Sequence, residues 1–224
     1  MTSLDRALSR LKQRQEITFV QHQGTGNDVA TLNLGGACAA LSIKWAGDVG
    51  TGKYSRQEWG ARQSMYDMFT APANTPIGRM FPKLTAPGAG HTKVSSQVIA
   101  QQQFGKLAGD VDQQMVMTAR SQGRHITEIA RHQGLKPMSP QGISELLERY
   151  EDRYRGGLAV MVISGGKAHA MAIQLAGGLA RYYDPNAGEF CFQSRESFRT
   201  GFWDLYDSCG YNEWAKVLRI YQVY

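Results

Sequence analysis

Cys38 follows the turn Gly35-Gly36-Ala37 and opens an apolar stretch, Ala39-Ala40-Leu41-Ser42-Ile43-Lys44-Trp45-Ala46, that reads as a short buried helix. A thiol at a helix N-terminus feels about half a positive charge, which favours thiolate over thiol. The turn glycines let backbone N–H groups approach an incoming carbonyl, as an oxyanion site requires. His169 lies in Lys167-Ala168-His169-Ala170-Met171-Ala172-Ile173, a strand of mostly apolar or small residues, and Asp184 ends the next strand in Tyr182-Tyr183-Asp184-Pro185-Asn186. Singly, each has an ordinary explanation: a small buried hydrophobe, a satisfied core histidine, an Asp-Pro turn. Together they supply a nucleophile, a base and an orienter. Two antiparallel strands joined by Gly177-Gly178 can set His169 beside Asp184, and a helix packed on that sheet can bring Cys38 to the imidazole.

The elements that must position these groups follow from periodicity. Residues 3–15 read as an amphipathic helix with Leu4, Ala7, Leu8 and Leu11 on one face, and 21–28 as a loop. After the Cys38 helix, a second helix is expected over 55–69. The Pro-rich stretch 71–92 is expected to be irregular, and 93–154 to hold three or four helices with breaks near Gly109, Gly123 and 136–140. The last of these, capped by Ser139, would carry Ile143, Leu146, Leu147 and Tyr150 on one side. From Gly157 the period shortens to two: strands are expected at 158–164, 169–175, 179–183 and 189–193, then a helix at 196–206 and a closing strand at 217–223. Helices first and an antiparallel sheet of four to five strands last give an α+β chain. The expected division is an N-terminal helix or arm over 1–25, a candidate export signal, and a single catalytic domain over 26–224.

Composition removes other classes. A chain of 224 residues with 42% hydrophobic and 20% charged residues is neither disordered nor membranous. No run approaches the ~18 apolar residues of a transmembrane helix, and neither a cleavable signal nor N-myristoylation is expected from Met1-Thr2-Ser3-Leu4-Asp5-Arg6. The net charge of +6 comes from scattered positives, without the arginine-rich or aromatic-interleaved pattern of a nucleic-acid binder. Three cysteines with no CxxC pair argue against a disulfide framework and a cysteine-based zinc site. His22, His91, His125 and His132 have no ligand-like spacing, so no metal or other cofactor is expected. The segment Gly47-Asp48-Val49-Gly50-Thr51-Gly52-Lys53-Tyr54 nearly spells a phosphate-binding loop, but ends in Tyr where Ser or Thr is required and follows a helix instead of a strand. Cys191 and Cys209 read as structural.

His169 and Asp184 lie roughly 130–150 residues downstream of Cys38, the spacing of papain-type partners. At these residues the sequence resembles the YopT-type cysteine proteases, papain-like bacterial effectors. The resemblance lies in Gly36-Ala37-Cys38-Ala39-Ala40-Leu41-Ser42-x-x-Trp45, in Gly166-x-x-His169-Ala170-Met171-Ala172-Ile173 and in Tyr183-Asp184-Pro185-Asn186-x-Gly188-Glu189-Phe190, in family order. It implies a papain-like fold in which Cys38 is nucleophile, His169 general base and acid, Asp184 the imidazole orienter and Asn33 an oxyanion-hole donor beside the Cys38 N–H. It further implies a protein substrate in a host or rival cell reached through a specialised secretion system, with a secretion chaperone or a cognate immunity protein as candidate partners. Glutamine deamidation by the same triad and a catalytically inert interaction domain are the alternative readings.

Overall fold

The strand Leu158–Ser164 (LAVMVIS) is buried at six of its seven positions, a run without alternation that needs cover on both faces. The computed structural model provides it; it describes residues 3–14, 17–21, 38–52, 110–133, 142, 158–176, 179–185 and 187–224. We number the helices α1 (Ser3–Gln13), α2 (Cys38–Gly50), α3 (Val111–Ser121) and α4 (Arg195–Ser208). The strands are β1 (Ile17–Gln21), β2 (Ile126–Gln133), β3 (Leu158–Ser164), β4 (Ala168–Ala176), β5 (Leu179–Asp184), β6 (Gly188–Phe192) and β7 (Val217–Val223). They form one antiparallel sheet in the order β1-β6-β5-β4-β3-β7-β2.

Alternation along the strands sorts the side chains into two cores. Met161, Ile163, Met171, Ile173, Tyr182 and Phe190 join one cluster with Leu8 and Leu11 of α1 and the Phe198-Phe202-Leu205-Tyr206 stripe of α4. Val160, Val162, Ala170, Ala172 and Tyr183 join the other with Ile43, Trp45 and Ala46 of α2 and Met115 and Ala119 of α3. Ala170 and Ala172 are short, which lets α2 lie close across β4. α4 starts on a reciprocal cap in which the Ser197 N–H donates to Ser194 Oγ at 3.1 Å and the Ser194 N–H to Ser197 Oγ at 2.9 Å. The β3–β4 connection is tight: Gly166 has φ 90, and a Cβ on Gly165 would lie 1.9 Å from the Trp214 carbonyl oxygen.

The α+β class expected from the sequence holds, with two differences. Among the described residues the sheet has seven strands where four to five were expected. One extra strand, β2, falls inside the stretch read as helical: α3 ends where Gly123 turns left-handed at φ 68, and Ile126–Gln133 then pairs along β7. Its β-branched Ile126, Thr127 and Ile129 suit a pleated strand, and pairing with β7 outweighs the helical reading. The other, β1, pairs with β6, while α1 packs on α4, so both N-terminal elements are built into the same fold. The expected helix 55–69, loop 71–92, Ser139-capped helix (residue 142 apart) and Asn33 lie outside the described residues.

Candidate active site

Cys38 is the first residue of α2, partly exposed. Its sulfur hydrogen-bonds with His169 and accepts from the backbone N–H groups of Ala170 and Ala39. One turn further along the helix, Ser42 Oγ donates to the Ala170 carbonyl at 3.0 Å. Positions 38 and 42 face the same way on a helix, so one face of α2 grips both polar groups of a single β4 residue. A further anchor lies at Trp45, whose ring stacks on Tyr183 (5.5 Å, interplanar 5°) and whose Nε1–H donates to the buried Glu189 carboxylate at 3.3 Å. Lys44 and Arg124 meet Asp48 at 2.9 and 3.7 Å at the far end of the helix.

His169 and Asp184 are neighbours because of strand register. β4 and β5 pair Ala172 with Tyr183, which puts Asp184 diagonally across from His169 on one face. His169 Nε2 lies 2.9 Å from Asp184 Oδ1, leaving Nδ1 for Cys38. Asp184 is fully buried and His169 is 6% exposed. A buried carboxylate must be hydrogen-bonded, and Oδ2 accepts from the hydroxyls of Tyr182 and Tyr211, both at 2.9 Å. Tyr211 also stacks on the His169 ring, centroids 5.0 Å apart.

The electrostatics favour one charge arrangement. Burial pushes the Cys38 thiol up, but the hydrogen bond and positive charge of His169, with the N–H groups of Ala170 and Ala39, carry it below its ordinary 9.0. Burial pulls His169 down, yet the charge and hydrogen bond of Asp184, then the bond to Cys38, raise it from 6.5 to about 10. Both shifts favour a thiolate–imidazolium pair held by Asp184. Cys209 behaves oppositely: burial first, then the Asp184 charge, push its thiol up to about 12. Cys191 sits on β6 opposite Arg181.

The structure therefore brings Cys38, His169 and Asp184 into one hydrogen-bonded chain. Among the described residues no group of three or more His, Cys, Asp or Glu side chains could hold a metal ion, and no helix is long and apolar enough to cross a membrane. The phosphate-loop look-alike begins inside the last turn of α2, which runs to Gly50. Tyr182, Tyr211 and Glu189 escaped the sequence reading as site residues. Tyr182 was accessible in principle, being two positions before Asp184 on the same strand and hence on the same face; Tyr211 carries no local signal.

Comparison with known proteins places this geometry. No curated protein sequence matches the chain. Among solved structures, the Pseudomonas avirulence protein AvrPphB superposes with a TM-score of 0.51 at 16% identity, covering 94% of this chain and 98% of that one. PatoxP, a cysteine protease-like domain of the Photorhabdus asymbiotica toxin PaTox, gives a TM-score of 0.44 at 12% identity over 98% of this chain and 59% of that one. The YopT domain of the Pasteurella multocida PfhB2-toxin gives 0.28 at 17% identity over 94% and 92%. The fold is papain-like. With a thiol at the tip of the helix laid across its sheet, and a match over residues 12–223 to the family described as Yersinia/Haemophilus virulence surface antigen (Peptidase_C58), the chain belongs to the YopT-type cysteine protease effectors.

Proposed function

We propose that this cysteine protease works through Cys38, His169 and Asp184. The observation that carries the reading is the unbroken hydrogen-bond chain from the Cys38 sulfur through His169 to Asp184. The Cys38 thiolate attacks the carbonyl carbon of the scissile peptide bond, and the tetrahedral oxyanion is received by the Cys38 N–H and the side chain of Asn33. Collapse breaks the C–N bond, and the imidazolium of His169 gives its proton to the leaving amine. Neutral His169 then takes a proton from water as the water attacks the thioester; collapse breaks the C–S bond, releases the acid and expels the Cys38 thiolate, and the proton kept on His169 restores the ion pair. Asp184 holds the imidazole in orientation throughout and stabilises its charged form. Loss of the Asn33 amide is expected to cost ~3 kcal/mol in barrier, as for other single oxyanion donors.

The substrate is a protein of another cell, reached by a dedicated secretion machinery, with a chaperone or a cognate immunity protein as the partner before release. The test compares wild type with Cys38→Ala in candidate target cells by proteome-wide mapping of protein N-termini. New termini that appear only with wild type support the protease reading. Glutamine mass changes without new termini overturn it in favour of deamidation, and identical proteomes overturn the enzymatic reading altogether.

A further inference from the structure

The Asp184 carboxylate receives hydrogen bonds from His169, Tyr182 and Tyr211, and the last two lie outside the Cys-His-Asp set. Tyr182 reaches Oδ2 from the same strand and also contacts Met171 Sδ at 2.9 Å. Tyr211 reaches it from much further along the chain. α4 ends at Ser208 with Cys209 as its C-cap, Gly210 takes a left-handed φ of 70, and the short 3₁₀ turn Tyr211–Glu213 follows. The Gly210 N–H closes the end of α4 on the Asp207 carbonyl at 2.8 Å, and the Trp214 N–H closes the 3₁₀ turn on the Tyr211 carbonyl at 3.3 Å. Tyr211 ends 4% exposed, edge-on to Tyr206 and Trp214, whose ring centroids lie 5.4 and 5.9 Å away. In that socket its ring lies 28° from the plane of the His169 imidazole at 5.0 Å, while its hydroxyl donates to Asp184 Oδ2 at 2.9 Å. One side chain thus touches both partners of the His169–Asp184 bond: the ring blocks tilting of the imidazole, and the hydroxyl blocks rotation of the carboxylate.

We propose that Tyr211 is a positioning residue for the reaction, holding His169 and Asp184 in register so that His169 Nδ1 stays aimed at Cys38. This rests on the triad reading above. Two consequences separate a positioning role from mere packing. The ring shields the His169 Nε2–H from water, so that proton should exchange slowly and resonate far downfield, as a proton bound to a carboxylate does. The hydroxyl competes with that proton for the charge of Asp184. Without it, more charge is left on Oδ1 and the Nε2–H···Oδ1 bond strengthens.

The experiment is proton NMR of the full chain, with the downfield resonance assigned by its loss in His169→Gln. It is paired with peptide-resolved iodoacetamide alkylation, which compares Cys38 with Cys191 in each variant. Tyr211→Phe keeps the ring and the volume, and is expected to move the resonance further downfield while Cys38 stays reactive. Tyr211→Leu removes the ring, and is expected to abolish exchange protection and slow Cys38 alkylation by about tenfold, equivalent to one pKa unit of lost thiolate. If Tyr211→Leu does not fold, Tyr211→Phe decides alone. A resonance that stays put in Tyr211→Phe, or stays protected in a folded Tyr211→Leu, overturns the proposal. A wild-type protein with no protected resonance, whose Cys38 reacts no faster than Cys191, overturns the triad reading on which it stands.

Discussion

The charge state of Cys38 and His169 sets the working pH range. Cys38 is held below 9.0 and His169 raised to about 10. The reactive pair forms as pH rises through the Cys38 value and is lost when His169 gives up its proton. Alkylation of Cys38 by iodoacetamide should therefore begin on the acid side of ordinary thiols, and cleavage should fall again only near pH 10. A Cys38 that alkylates with an ordinary thiol midpoint contradicts this. Asp184→Asn tests the third member. A carboxylate can accept from all three donors, His169 Nε2–H, Tyr182 and Tyr211. An amide has one oxygen and an NH₂, so it takes an acceptor away either from the His169 Nε2–H or from the two tyrosine hydroxyls, and it carries no charge. We expect a loss of about 10²–10⁴ in kcat/KM, by analogy with the ~10⁴ of an orienting Asp→Asn change. The alkaline limb should also move down toward the ordinary histidine range, as the charge that raises His169 is gone. Retention of the wild-type limb would show that the Asp184 charge is not its cause.

Elements decide how much of this was legible in the sequence. α2 was readable because a nearly all-apolar run after a glycine turn has few alternatives, and the β4–β5 hairpin because its period of two is regular and bounded by glycines. Those two readings are enough to place Cys38, His169 and Asp184 together. β2 was not readable: Ile126–Gln133 owes its form to pairing along β7, a partner far away in the chain. β1 and Tyr211 were missed for the same reason, since their roles depend on β6 and on the His169–Asp184 pair, which no local pattern announces. The seating of α2 is likewise long-range. Trp45 lies against Tyr183 and donates to Glu189, which is 1% exposed. Glu189→Gln keeps an acceptor for the indole and should cost little in urea unfolding. Glu189→Leu leaves the indole N–H buried without this acceptor and is expected to cost about 1–3 kcal/mol. Equal stability of the two variants would mean that the Trp45–Glu189 bond contributes nothing to holding α2.

At the scale of the whole molecule, the sheet separates two apolar layers among the described residues. Leu11 of α1 is fully buried in the layer shared with α4, and Ile43 of α2 is fully buried in the layer shared with α3. The site draws on both: Asp184 is held by Tyr182 and Tyr211 of the first layer, whereas Cys38 is carried by the helix of the second. Leu11→Ala opens a cavity between α1 and α4 and is expected to cost about 2–5 kcal/mol, and Ile43→Val about 0.5–1.5 kcal/mol. Sites without shared partners usually add within roughly 0.5 kcal/mol. The double variant should therefore lose the sum of the two, measured by urea unfolding with an unchanged slope. Ile43→Val should also lower Cys38 alkylation more than Leu11→Ala does despite its smaller stability cost, because only Ile43 lies on the helix that aims the sulfur. A double variant that departs clearly from the sum would mean that the layers communicate across the sheet, and that a lesion under α1 is felt at the Cys38 helix tip.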